Sequence, residues 1–281
     1  MQRTQIGEFE LIALPDGAAD LQAPAASLEM QLEPRLDWAE LARRNPGGFH
    51  GPEHLWRIHN TCYLVRAPGL RMLVDRGVGE GPYPWYAGLR GQLPQGMAAA
   101  GLEPDEVTHV FLTHAHPDHV GWAFDEKAGA PRFRNARYLL HQRDWDHFSG
   151  RTPVPKHFTR FVAPLARLES LDLLAGETEL APGVTALETP GHTPGHMSLL
   201  LQSRGEGLVI SGDVVNSPVY VSQPQLPFPS DADHALGIRT RLALMERIEG
   251  NGLRLASAHF PEPGWGGVVR LDGRRWFAPG V

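Results

Sequence analysis

The stretch Thr113-His114-Ala115-His116-Pro117-Asp118-His119-Val120-Gly121 decides the reading of this chain. It follows an apolar run at 107–112 that predicts a buried strand. Alternate side chains of an extended backbone share a face, so His114, His116 and Asp118 start from positions that converge on one point. Pro117 cannot continue a strand ladder, which places these residues at the strand's tip and turns His119 toward a second point nearby. Three imidazoles and a carboxylate within six residues offer the nitrogen and oxygen ligands that borderline divalent metals take.

Three later residues extend the set. His196 closes the segment Thr189-Pro190-Gly191-His192-Thr193-Pro194-Gly195-His196, Asp213 follows the apolar run 208–210, and His259 follows 253–256. Each stands just past a predicted strand, so a rigid element presents it on a short loop, the usual setting of a functional residue.

The His-x-His-x-Asp-His signature with these later residues in order resembles the metallo-β-lactamase superfamily, and the resemblance covers nearly the whole chain. It implies an α/β architecture, an αβ/βα sandwich of two mixed β-sheets flanked by helices. It also implies that His114, His116 and His196 hold one metal, that Asp118, His119 and His259 hold a second, and that Asp213 bridges them. Two divalent ions, zinc foremost and iron, manganese or cobalt as alternatives, would then share a hydroxide about 3.5–4 Å-spaced metals can generate at neutral pH. That hydroxide would attack a carbonyl or phosphoryl centre, with Asp118 and Asp213 as the catalytic carboxylates. A Gly-x-Ser-x-Gly nucleophile elbow is absent from the sequence.

Within the superfamily, His116 in place of Glu argues against flavodiiron oxidoreductases, and Asp213 in place of Cys against one class of true β-lactamases. The fragments 211–218 and 258–266 are most similar to the branch of methyl parathion hydrolases and quorum-quenching lactonases. The lactonases carry a Tyr three residues after the bridging Asp; here that position is Asn216, so a homoserine-lactone substrate does not follow from the motif. Asn216 can offer an amide donor to a developing oxyanion. Trp122, Phe124, Tyr220 and Phe228 are candidates for an apolar substrate wall. The expected function is hydrolysis of a small lactone or carboxylic ester, with promiscuous action on phosphotriesters. Two alternatives stand beside it. One is a phosphoester hydrolase with a basic pocket built from Arg151, Lys156 and Arg160; the other is a mononuclear iron oxidoreductase.

Composition narrows the field further. A net charge of -6 over 281 residues argues against a nucleic-acid protein. Cys62 is the one cysteine, which excludes an intrachain disulfide and a cysteine-rich zinc site; it lies in an apolar run and reads as core. No stretch approaches the roughly 18 apolar residues of a membrane span, and the start of the chain lacks a basic-then-apolar leader. A cytoplasmic protein, a homodimer by family analogy, is the expectation.

The rest of the chain reads as one domain over 1–281. A strand at 8–14 ends at Pro15-Asp16-Gly17, and a Pro- and Ala-rich excursion occupies about 18–52, expected to cover the site or form an oligomer contact. A hairpin follows at 56–65 and 70–74, closed by Asp75, an acidic residue that in the superfamily supports the metal site from behind. Helices are predicted at 89–100, 142–148 and 231–248, and strands at 138–141, 171–174, 184–188, 198–202 and 208–210, with two more in the tail at 264–281. His141, His147, His157 and His234 lack partners at metal spacing and read as structural.

Overall fold

Residues 62–65 show how the layers arise. Successive strand side chains point to opposite faces, and here all four of Cys62, Tyr63, Leu64 and Val65 are buried. Cys62 and Leu64 join one hydrophobic cluster and Tyr63 and Val65 another, so this strand belongs to a sheet covered on both faces.

The structure is a computed structural model that describes residues 2–20, 36–51 and 55–281. The first half of the chain supplies β1 (Arg3–Ile6), β2 (Phe9–Asp20), β3 (Phe49–His50), β4 (Leu55–Ala67), β5 (Leu70–Val74), β6 (His109–Phe111), β7 (Phe124–Asp125), β8 (Ala130–Pro131), β9 (Arg137–His141) and β10 (Leu171–Leu174). The second half supplies β11 (Thr178–Ala181), β12 (Val184–Glu188), β13 (Met197–Ser203), β14 (Glu206–Ile210), β15 (Arg254–Ala256), β16 (Trp265–Leu271) and β17 (Arg274–Pro279). The first sheet runs β1-β2-β4-β5-β6-β9-β10 with β3 added on β4; the second runs β11 through β17 in order; β7 and β8 form a separate ribbon. Both sheets are mixed: β5, β6, β9 and β10 pair in parallel in the first, and β14 pairs with β15 in parallel in the second.

The two sheets face each other. Leu11, Val65, Val74 and Phe111 of the first share one cluster with Val184, Leu199, Leu208 and Ile210 of the second. The opposite face of the first sheet packs Leu64, Leu73 and Leu140 against Met97, Phe148 and Leu165 of flanking helices. The opposite face of the second packs Leu200, Val209 and Leu255 against Leu244, Met245 and Ile248 of the helix His234–Gly250. Helix, sheet, sheet, helix is the expected αβ/βα sandwich. Asp233 caps that helix by accepting the Leu236 N–H at 2.9 Å. Among the described residues no helix is long and apolar enough to cross a membrane.

Some boundaries differ from the sequence reading. β2 does not end at Pro15 but continues to Asp20 through a register irregularity between Pro15 and Gly17, which turns the Asp16 side chain inward. The helix expected over 89–100 spans Leu93–Ala99, because Pro94 suits its first turn and Asp16 accepts the Leu93 N–H at 2.6 Å. Short β11 and the β7–β8 ribbon carry too little alternation to have been foreseen. Of the N-terminal excursion, 21–35 and 52 lie outside the described residues. Its helix Trp38–Arg44 buries Trp38 and Leu41 in the same cluster as Trp276 and Phe277.

Candidate metal centre

The ligand residues stand where strands of both sheets end. β5 ends at Val74, and Asp75 then takes a positive φ of 58°. From there its carboxylate accepts the Thr113 N–H at 2.9 Å and faces His119 Nδ1 at 2.9 Å. His114 and His116 leave β6 in extended backbone. Pro117 then opens the one-turn helix Pro117–Val120, which swings Asp118 and His119 to the far side of the motif.

On His119, His259 and His192 the outer nitrogen is tied down, which aims the inner one. His119 Nδ1 donates to Asp75, His259 Nδ1 donates to the His59 carbonyl at 2.7 Å, and His192 Nδ1 donates to Asp231 Oδ1 at 3.1 Å. Asp231 in turn pairs with Arg241 at 3.2 Å, both fully buried. Supports of this kind fix the tautomer and orientation of metal-binding imidazoles.

Three overlapping groups result: His114, His116 and His192; His114, His119 and Asp213; Asp118, His119 and His259. His116 Nδ1 lies 3.0 Å from His114 Nε2 and 2.9 Å from His192 Nε2. Asp213 reaches both sides, with Oδ1 3.2 Å from His119 Nε2 and 3.1 Å from His259 Nε2, and Oδ2 3.4 Å from His192 Nε2. Asp118 Oδ2 lies 3.7 Å from His259 Nε2.

The sequence reading placed His196 on the His114–His116 cluster; the structure places His192 there. Both nitrogens of His196 are already engaged, Nδ1 with Thr189 Oγ1 at 2.8 Å and Nε2 as acceptor of the Asp213 N–H at 2.9 Å. His196 precedes β13 directly and braces the Asp213 loop. His192 sits farther from the strand, where its carbonyl accepts the Ala232 N–H at 3.0 Å and Asp231 holds its ring. The remaining expected ligand residues, His114, His116, Asp118, His119, Asp213 and His259, all converge.

A second carboxylate binds the two ligand loops to each other. Buried Asp144 accepts the Ala115 N–H and the Gly195 N–H, each at 2.9 Å. Burial raises its pKa.

The donor set fits cations. Around an ion bonded at about 2 Å in a tetrahedral site, ligand atoms stand about 3.3 Å apart, and most separations above fall near that spacing. Nitrogen lone pairs at 2.9–3.0 Å, as between His116 and its neighbours, repel unless a proton or a metal lies between them. The electrostatics agree. Burial holds His114 and His116 well below the usual imidazole pKa, and burial with the nearby His192 brings His196 to about 3. Burial is the largest influence on His119 and His259 and opposes their charge, but the surrounding carboxylates, Asp213 foremost with Asp118 and, for His119, Asp75, together outweigh it and both are raised. The carboxyl of Asp213 is likewise disfavoured by burial, yet His259 and His119 hold it well below the ordinary range.

Over this cluster lies a cavity of about 340 Å³, lined by His116, Asp118, His192, Asp213 and His259 and by Trp56, Ile58, Tyr86, Asn216, Phe228 and Ser230. Of the expected apolar wall Phe228 lines the cavity, as does Asn216, the candidate amide donor. Trp122 instead turns into the core, where its Nε1–H donates to Asp16 at 2.9 Å and Arg132 covers its ring at 4.8 Å. Phe124 lines a separate cleft with Tyr83, Arg132 and Arg160. Tyr220 is fully buried behind the wall, 6.1 Å from the Trp56 ring and 5.9 Å from the Phe228 ring. Trp56 and Ile58 went unnoticed in the sequence, although their period-two spacing with Asn60 on β4 marks one strand face.

The comparisons with known proteins agree with this geometry. The Metallo-beta-lactamase superfamily profile matches residues 56–246. An N-acyl homoserine lactonase of Bacillus cereus is 25% identical over 174 residues, 57% of this chain and 64% of its own. The uncharacterized protein YobT of Bacillus subtilis is 32% identical over 166 residues, 54% of this chain and 60% of its own. The chain thus spans just under two thirds of the length of the curated relatives it matches. Among solved structures, the hydrolase AbOPH superposes with a TM-score of 0.79 at 23% identity, covering 99% of this chain and 96% of that one. AidC, a dizinc quorum-quenching lactonase in complex with a product, superposes with a TM-score of 0.76 at 21% identity, covering 100% and 97%. A profile match across most of the chain, a sandwich of two mixed sheets and a His/Asp cluster at the strand ends lead to one conclusion: this chain belongs to the metallo-β-lactamase superfamily.

Proposed function

We propose that the protein is a dinuclear metal-dependent hydrolase of neutral lactones or carboxylic esters. The observation that carries this reading is the shared carboxylate Asp213, which faces His119 and His259 with one oxygen and His192 with the other beneath a cavity of substrate size. The names of the lactonase relatives and the dizinc lactonase neighbour support it.

When bound, two divalent ions, zinc foremost, would lower the pKa of water from about 16 to about 7 and polarise the substrate oxygen. His114, His116, His192 and Asp213 would hold one, and Asp118, His119, His259 and Asp213 the other. The chain's own groups do the rest. Asp118 is the most open of the carboxylates, its side chain 17% exposed against 7% for Asp213, and it can accept a proton at the cavity floor. Asn216 is 4% exposed and, among the described residues, its Oδ1 has no hydrogen-bond partner, so it can accept from a substrate N–H. Trp56, Ile58 and Phe228 exclude water, which strengthens every polar contact inside.

Among the described residues no Lys or Arg lines the cavity, a wall that suits a neutral ester better than a phosphate anion. None of Arg151, Lys156 and Arg160 lines this cavity; Arg160 pairs with Glu126 at 2.5 Å and Arg151 with His147 at 2.8 Å. The test is metal content per chain, on protein purified without added metal, together with turnover of lactones, aryl esters and phosphotriesters. About two ions per chain and turnover lost in Asp213→Ala are expected. One iron per chain and no hydrolysis would overturn the reading.

A further inference from the structure

One polar pair in the cavity wall has no part in the reaction above. Tyr86 ends the short turn Pro84–Tyr86, is 5% exposed and lines the cavity together with Asp118 and Asp213. Asn60, on β4, is 2% exposed. Its Nδ2 donates to the Tyr86 hydroxyl at 3.2 Å, and that hydroxyl lies 3.3 Å from Asn60 Oδ1. The neighbours along this wall are Trp56 and Ile58. The mutual hydrogen bonding of Tyr86 and Asn60 offsets the cost of burying a phenol and an amide, and it leaves a polar donor in a stretch of wall that Trp56 and Ile58 otherwise make apolar.

The chemistry fits a donor. Burial pushes the Tyr86 phenol well above its ordinary pKa, which favours the protonated form, a donor rather than a base. Donation from Asn60 Nδ2 to the phenol oxygen polarises the O–H and strengthens it as a donor. Because Tyr86 lines the cavity, rotation of its O–H away from Asn60 Oδ1 would turn the donor toward a bound substrate while Asn60 Nδ2 continues to hold the oxygen.

We propose that Tyr86, oriented by Asn60, donates a hydrogen bond to the leaving oxygen of the substrate's ester or lactone. The inference rests on the hydrolase reading above. In the reaction a water oxygen bonds to the acyl carbon, and the bond from that carbon to the leaving oxygen breaks with its electron pair on the oxygen. The proton that this oxygen finally carries comes from the water. Tyr86 keeps its own proton and stabilises the negative charge in the interval. Tyr86 is therefore a catalytic residue in contact with substrate, and Asn60 a positioning residue.

The experiment uses the metal-loaded full chain, with metal content and melting temperature checked for each variant. Tyr86→Phe keeps the ring and loses only the hydroxyl. In a series of aryl acetates, kcat is expected to fall about 10- to 100-fold for phenyl acetate, the worth of one hydrogen bond to a charged oxygen, and much less for 4-nitrophenyl acetate, whose leaving group needs little help. KM should hold within about 2-fold, since the bond forms as charge develops. A lactone and its thiolactone carry the same contrast to cyclic substrates. Asn60→Ala should lose part of the same activity in the wild-type background and nothing more in Tyr86→Phe. An equal loss across the series, no loss, or an undiminished effect of Asn60→Ala in Tyr86→Phe overturns the assignment and leaves the hydrolase reading standing. A wild type that carries its metals and cleaves no ester or lactone overturns both.

Discussion

His192 Nε2 stands 2.9 Å from His116 Nδ1, while His196, four residues on, gives its Nε2 to the backbone N–H of Asp213. The two histidines of one Pro-Gly-His-Thr-Pro-Gly-His segment thus do different work. His192→Ala is expected to lower metal content from about two ions per chain toward one and to abolish turnover. His196→Ala should mainly lower the melting temperature, because it frees the Asp213 loop rather than removing a ligand. Metal analysis beside thermal unfolding separates the two; a His196→Ala protein that is fully stable and short of one ion would reverse the assignment.

Asp231→Asn should weaken metal retention by about 10- to 100-fold, the usual cost of losing a carboxylate that orients a ligating imidazole. Asp231 pairs with both His192 and Arg241. The same change therefore leaves the Arg241 guanidinium without its counter-charge and lowers stability as well. Competition with a chelator of known affinity measures the first effect, and denaturant unfolding of metal-free protein the second.

Removing the metals is expected to abolish activity reversibly and to lower the melting temperature. Ions that bind only the folded state stabilise it by about 2.7 kcal/mol at a hundredfold excess over Kd. Thermal scans with and without chelator, followed by zinc add-back, check both parts. An unchanged melting temperature after complete removal would count against the centre as a structural element.

The wall residues should separate by kinetic signature. Phe228→Ala opens the cavity and is expected to raise KM. Trp122→Ala removes a core ring and the bond to Asp16, and should cost about 3–5 kcal/mol of stability with KM little changed. Steady-state kinetics on the soluble fraction of each variant, paired with unfolding curves, distinguishes them.

Asp16 gives the fold a pH dependence. Its carboxylate accepts the N–H groups of Val78, Leu93 and Trp122; burial outweighs these bonds and raises its pKa from 3.8 to about 6. A folded pKa above the unfolded one means that the contribution of Asp16 is fully present below about 4 and declines as pH rises through about 6. The wild type should therefore lose stability relative to Asp16→Asn across that window. Denaturant midpoints of both proteins at pH 4, 5, 6 and 7 test the sign.

The motif 113–121 was legible because its information is local. Extended backbone aims His114 and His116 alike, and Pro117 starts the turn that carries His119 to the other side. The same turn carries Asp118, which alternation alone grouped with the first two. The choice between His192 and His196 was not legible, since both follow Pro-Gly and differ only in partners, Asp231 and the Asp213 N–H, that are distant in sequence. Trp122 and Phe124 misled for the opposite reason. They are neighbours of the motif in sequence, but Gly121 N–H and Trp122 N–H bond to the carbonyls of Gly77 and Arg76, which draws that segment under the loop after β5 and away from the metals. Asp75 entered as a support through the resemblance to the superfamily; its position alone, closing a strand, reads equally well as a turn residue. Tyr86 was not legible, because it lies in an irregular turn without periodicity.

The carboxylate of Asp144, which accepts one N–H from each ligand loop, has a kinetic consequence. The spacing between the His116 and His192 loops is set by a hydrogen-bonded strap within the chain and does not wait for an ion to draw the loops together. An arriving cation meets a mould already cast, so its capture is governed by how fast it sheds water rather than by how fast the polypeptide rearranges.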